Sequence, residues 1–105
     1  MSAARLDKWL WCARFARTRS LAAKLCAEGA VSIAGAVVLK PGHAVRVGDV
    51  LAVRQGALLR QVTVRALGSR RGPPSEARLL YDELTPPVSL RAAERAQWEP
   101  LIDER

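Results

Sequence analysis

Gly29 divides the chain into two hydrophobic rhythms, and that division limits the folds open to it. Before Gly29 the apolar residues recur at helical spacing; after it they alternate, or run in short blocks broken by glycine and proline. Leu6, Trp9, Leu10 and Ala13 follow the i, i+3, i+4, i+7 pattern, which predicts a first helix from Arg5 to about Arg14 with one apolar face. Trp9 lies on that face and Trp11 off it. Phe15 to Arg17 reads as a short connection. Thr18 suits the N-cap of a second helix that runs to about Glu28, with Leu21, Ala22 and Leu25 inward. Gly29 ends that helix, because glycine tolerates the positive φ that a C′ position takes.

Strands are predicted at Ala30–Ile33, Val37–Leu39, Val50–Arg54 and Leu59–Leu67, punctuated by Gly35, "KPG" and "GD". In the last of these, Val62, Val64 and Ala66 alternate with Gln61, Thr63 and Arg65, the pattern of a strand with one face in a core. "GSRRGPPS", residues 68–75, breaks the pattern and reads as a loop with Arg70 and Arg71 at its tip. "SEARLLYDEL" predicts one or two helical turns, and the proline pair beyond it introduces a last helix from about Val88 to Trp98. The fold class is therefore α+β: two N-terminal helices packed on a small, mainly antiparallel sheet, followed by a C-terminal helical segment. With 105 residues the chain supports one modest core, placed in residues 1–67, with 68–105 as an extension packed on or near it.

Charge narrows the function. Residues 1–71 hold 13 basic and 3 acidic side chains, net +10, whereas residues 72–105 hold 4 basic and 7 acidic, net −3. A basic body with an acidic end calls for an anionic partner, and nucleic acid is the largest class of those. The stretch "RLDKWLWCARFARTRSLAAK" concentrates the signal, with six basic residues against Asp7 alone. A merely solvated face is the weaker reading of so lopsided a count. Asp7 in the first turn suits the helix dipole.

Other classes find less support. Two cysteines, Cys12 and Cys26, and one histidine, His43, are too few for a metal site, and nothing implies a cofactor. The cysteines read as small half-buried thiols, and His43 in "KPGHAV" as a loop side chain. One histidine and scattered acids assemble no nucleophile, base and orienter, so the chain is not expected to be an enzyme. It has no run of the ~20 apolar residues that a membrane span needs and no export signal, which leaves the cytoplasm as the default compartment. A helix-turn-helix DNA binder is the competing class, fitted by the basic second helix but not by the β-rich stretch after Gly29. A non-catalytic adaptor rests only on the acidic end and Trp98.

The succession "RLDKWL", Arg14, "TRS", "EGAVSIAG", "KP" and "GD" resembles the αL RNA-binding domain. That module is shared by small-subunit ribosomal protein S-four, some pseudouridine synthases and tyrosyl-tRNA synthetases. Within that family, "RLDKWLWCARFARTRSLA" and "SRRGPPSEARLLYDE" are most similar to the ribosome-associated heat-shock protein 15 group. The resemblance implies binding to ribosomal RNA of the large subunit, with tRNA as a second candidate; the chain itself is expected to be a monomer. In that group the bound particle is a free large subunit still holding a nascent chain on its tRNA, which the protein is thought to help clear. It also implies an RNA-facing set: Arg5 and Lys8 on the first helix, Arg14 near its end, and Thr18 and Arg19 opening the second. The start of the second helix would then seat a phosphate, with Arg17, Lys24 and Lys40 as outer phosphate contacts. The expected readout is RNA shape.

The sequence departs from the family pattern twice. Ala34-Gly35 stands where the hairpin often has Asn-Gly, and alanine disfavours the type I′ turn. The chain ends in "WEPLIDER", acidic where the heat-shock group often carries a basic tail.

Overall fold

The computed structural model describes residues 3–84 and the backbone of Val88–Ser89. In chain order the elements are β1 (Ala4–Arg5), α1 (Leu6–Cys12), α2 (Arg19–Ala27), β2 (Val31–Ile33), β3 (Ala36–Val37), β4 (Ala44–Val45), β5 (Val50–Gln55), β6 (Leu58–Val64), α3 (Pro74–Ala77), a 3₁₀ turn (Arg78–Leu80), β7 (Tyr81–Glu83) and β8 (Val88–Ser89). An antiparallel sheet runs β3-β2-β5-β6-β7, with β8 also pairing β6. A separate two-stranded ladder joins β1 to β4. No helix among the described residues is long and apolar enough to cross a membrane.

The core lies between the helix pair and one sheet face. Leu6, Trp9 and Leu10 of α1, Ala22 and Cys26 of α2, and Val31, Leu51, Val53 and Val62 of the sheet are all wholly buried. Register explains why these strand residues share a face. Leu51 pairs with Val62 and Val31 with Val53, so the period of two sends Ala52 and Gln61 the other way. Trp9 anchors the core: its ring stacks on Phe15 at 5.8 Å, and its Nε1 donates to the Ala66 carbonyl at 2.9 Å. Truncating so large a buried ring to alanine would cost about 3–5 kcal/mol.

Both helices end in the same backbone motif. At α2, the Gly29 amide bonds the Cys26 carbonyl and the Ala30 amide bonds the Leu25 carbonyl, each at 3.0 Å, with Gly29 at φ +75°. At α1, the Arg14 amide bonds the Trp11 carbonyl and the Phe15 amide the Leu10 carbonyl, with Arg14 itself at φ +64°. This pairing satisfies the orphan carbonyls of a helix end and needs one left-handed residue. The first helix uses an arginine where the second uses glycine.

Several sequence expectations change. Ala4 and Arg5 form a strand rather than opening the first helix, because they pair with Val45 and Ala44. Leu21, expected inward, is 44% exposed, and Cys26 takes the buried place on α2. The two thiols are fully buried and unpaired with each other, not half-buried. Ala34 adopts φ +53° beside Gly35 at +86°, so the two-residue loop is left-handed at both positions, as a type I′ turn requires. The strain on Ala34, of order 1 kcal/mol, is accepted where pairing of Ile33 with Ala36 fixes the loop length. Helical turns appear at Pro74–Ala77 and Arg78–Leu80 as expected, but Tyr81–Glu83 is a strand on β6. Val88 and Ser89, read as the start of a last helix, pair with Leu59 and Leu58 as a strand; residues 90–98 of that expected helix lie outside the described residues.

Candidate nucleic-acid interface

The start of α1 is held by the turn that leads into β4. The Leu6 amide donates to the His43 carbonyl at 2.9 Å, and the Asp7 amide to the Pro41 carbonyl at 3.0 Å. These bonds consume helix-end donors that would otherwise face water. They also set the exposed Lys40 and its turn beside Arg5, whose guanidinium lies against Gly42.

Asp7 is the hub of the surface. Although charged, it is buried, and its carboxylate accepts from Arg5 Nε at 3.2 Å and Nη2 at 3.3 Å, from Arg19 Nη2 at 3.4 Å, and from the Lys8 amide at 2.7 Å. Burial alone would push this carboxyl up. The hydrogen bonds from Arg5 and the Lys8 amide, with the charges of Arg5 and Arg19, outweigh burial and hold it below the ordinary carboxylate value. Arg5 and Arg19 come from the starts of two different helices, and one carboxylate fixes both guanidinium forks in place. The Lys8 ammonium has no acidic partner among the described residues, and it acts with Arg19 on the same Cys12 thiol. Burial is the larger influence on that thiol and keeps it above its ordinary value. Cys26, also buried and near Asp7, is pushed up to about 11, so neither cysteine is a nucleophile at neutral pH.

Thr18 caps α2 as read from the sequence: its Oγ1 accepts from the Leu21 amide at 3.1 Å. The Arg19 and Ser20 amides have no protein acceptor among the described residues, so this helix start faces outward beside the Asp7 cluster. Arg5, Lys8 and Arg19 thus come together, with Thr18 and Lys40 at the margins.

The other three sequence-derived residues go elsewhere. Arg17 and Lys24 line an open groove of about 410 Å³ with Phe15, Leu21 and Gln55, on a different face of α2 from Arg19. Lys24 stands 4.0 Å from Glu28. Arg14 turns toward the loop after β6, where its Nε donates to the Gly72 carbonyl at 2.7 Å. That loop carries Arg70 and Arg71 beside α1, and neither was among the sequence-derived set; the double arginine in "GSRRGPPS" was the available signal.

Two arginines on or just after β6 are occupied. Arg60 grips Glu83 with two bonds at 2.7 and 2.9 Å, donates to Tyr81 Oη at 3.1 Å, and lies 4.5 Å over the Phe15 ring. Arg65 pairs with Asp82. Among the described residues, no group of three or more His, Cys, Asp or Glu is placed to hold a metal ion.

Residues 4–51 match the S4 domain family. Heat shock protein 15 of Escherichia coli K12 is 45% identical over 87 residues, 83% of this chain and 65% of that protein. The homologue from Aeromonas salmonicida is 43% identical over 88 residues, 84% of this chain and 66% of its own length. The chain therefore spans just under two thirds of the curated relatives it matches. Vibrio cholerae heat shock protein 15, solved as a trimer, is 36% identical and aligns with a TM-score of 0.76, covering 90% of this chain and 93% of that one.

Proposed function

The chain belongs to the heat shock protein 15 family, and from that premise we propose that it is a non-catalytic RNA-binding protein of the large ribosomal subunit. It contacts ribosomal RNA through the α1–α2 edge, acts in the cytoplasm as a monomer, and serves the clearance of stalled large subunits that carry nascent-chain tRNA.

One observation carries the reading: Arg5 and Arg19 converge on the buried carboxylate of Asp7, with the Lys8 ammonium, which has no acidic partner among the described residues, beside them. The edge keeps a net positive charge, and two of its guanidiniums are already ordered. Ordered forks lose less side-chain entropy on meeting a phosphate than free ones do, and arginine reaches phosphate in bidentate fashion. The open amides at the start of α2 add donors of the kind that favour phosphate. Such contacts neutralise backbone charge and release counterions, so affinity is salt-dependent and reads RNA shape more than base identity.

The test is sedimentation of the protein with dissociated ribosomes, wild type beside Lys8→Ala/Arg19→Ala, across a salt series. Migration with the large subunit, weakened steeply by salt and lost in the variant, is the expected result. A protein that stays at the top of the gradient, while binding duplex DNA as tightly as ribosomal RNA in parallel titrations, would overturn the reading.

A further inference from the structure

We propose that the loop at residues 68–72 is a second phosphate-contacting segment of the same RNA surface, carried by Arg70 and Arg71 and held in place by Arg14. The inference rests on the RNA-binding reading above and adds a segment outside the S4 domain match, which ends at residue 51.

The loop is fixed at both ends against α1 and the turns that follow it. A Cβ added to Gly68 would lie 3.4 Å from the Cys12 Cβ and crowd Leu80 at 3.0 Å, and its φ of +72° favours glycine, so the chain passes in contact with the helix there. At the other end the buried Gly72 accepts the Arg14 bond, and a Cβ there would fall 2.6 Å from Glu76. Between these points sit Arg70 and Arg71. Cys12, which the loop abuts, is the residue whose thiol feels both Lys8 and Arg19. Lys8 and Cys12 are one turn apart on α1, so the loop and the Asp7 cluster lie at opposite ends of the same side of that helix.

Two further features point to an anion. Arg71 is half-buried and has no carboxylate partner among the described residues, and its Nε is buried without an acceptor there. A guanidinium part-withdrawn from water with an unmet donor is suited to a phosphate oxygen. Arg70 makes a single exposed pair with Glu76 at 3.0 Å, of a kind that exchanges readily for a stronger acceptor.

The backbone of Arg14 assigns it a positioning role. It occupies the left-handed C′ place that α2 gives to glycine, so its side chain is kept at the expense of backbone strain. That side chain holds the Gly72 carbonyl, where the sequence resemblance had it facing RNA.

Titration of the full chain with deproteinised large-subunit ribosomal RNA, at several salt concentrations, tests this. Arg70→Ala/Arg71→Ala is expected to bind about 5- to 30-fold more weakly at physiological salt, with the salt slope reduced by roughly 1.5 and the melting temperature unchanged. Lys8→Ala/Arg19→Ala is the internal reference. If that variant weakens binding while Arg70→Ala/Arg71→Ala binds with wild-type affinity and slope, the loop proposal falls and the RNA reading stands. If the wild type itself does not bind, both fall. Arg14→Gly relieves the backbone and removes the stitch. Its loss of affinity should nearly vanish in the Arg70→Ala/Arg71→Ala background, whereas additive losses would overturn its positioning role.

Discussion

The α1–α2 edge and the β6–β7 edge are both rich in arginine, and they use it in opposite ways. At the sheet edge each guanidinium has its own carboxylate, Arg60 with Glu83 and Arg65 with Asp82, and Arg60 is further packed on Phe15. At the helix edge Arg5 and Arg19 share Asp7, and Lys8 has no acidic partner among the described residues. The first arrangement joins strands; the second leaves positive charge facing solvent in a fixed geometry. The net +10 of residues 1–71 is thus not one uniform field, because the fold spends acids from 72–105 on some of those arginines and leaves others open. Availability of charge, not its count, separates a structural arginine from a binding one.

The contrast breaks most visibly at Arg60. Arg60→Ala removes a part-buried cation together with its aromatic contact and its two bonds to Glu83, and should cost about 2–3 kcal/mol. Calorimetry should show a melting temperature lower by roughly 10 °C or more, with RNA affinity unchanged in the folded protein. A variant that melts with the wild type would mean the sheet-edge arginines are no more structural than the helix-edge ones.

Asp7→Asn sharpens the other side. It keeps the acceptor shape but removes the charge that orders Arg5 and Arg19, at a stability cost of about 1–2 kcal/mol. It also raises the net charge, so the salt slope for RNA should steepen. The pH dependence has a definite sign. The folded Asp7 pKa lies below the ordinary 3.8, so its stabilisation is present above that value and is lost as pH falls from there through the lowered folded value. Melting curves of wild type and Asp7→Asn should stay apart down to about pH 3.8 and converge only below it; curves that stay parallel throughout would remove Asp7 from the hub.

The smallest effect concerns Cys26. Its folded pKa of about 11 exceeds the ordinary 9.0, so the fold favours the neutral thiol; that contribution is complete below 9.0 and is lost as pH rises toward 11. In a Cys12→Ser background, so that Cys26 is the one thiol, thiolate absorbance of the native protein should stay absent at pH 9.5 and appear near 11, while the melting temperature declines across the same window. Ordinary titration near 9 would contradict the burial of this side of α2.

Legibility followed periodicity. The helix pair, β5 and β6 were readable because apolar spacing of 3.6 or 2 persists over several residues in each, the Thr18 cap from its residue type, and β2 and β3 from the turn residues at Gly29, Gly35 and "KPG" that bracket them. The β1–β4 ladder, β7 and β8 are two or three residues long, too short for any period, and exist only through partners distant in sequence. Asp7 was legible as a first-turn acid but not as a hub, since Arg19 reaches it from another helix. The separation of Lys24 from Arg19 could have been found: five residues on a helix turn the side chain by about 140°. Arg14 gave no such signal, because nothing in the residue type announces a left-handed backbone, and its partner Gly72 is 58 residues away.

The most direct test of the central claim is a charge-matched pair, Arg19→Ala beside Arg65→Ala, titrated with deproteinised large-subunit ribosomal RNA over a salt series. Each removes one arginine charge that is paired with a carboxylate. The expected result is a weaker affinity and a salt slope lower by about 0.8 for Arg19→Ala, with Arg65→Ala indistinguishable from wild type. Equal losses in the two variants would show that RNA responds to net charge alone, and would contradict a binding edge built on α1 and α2.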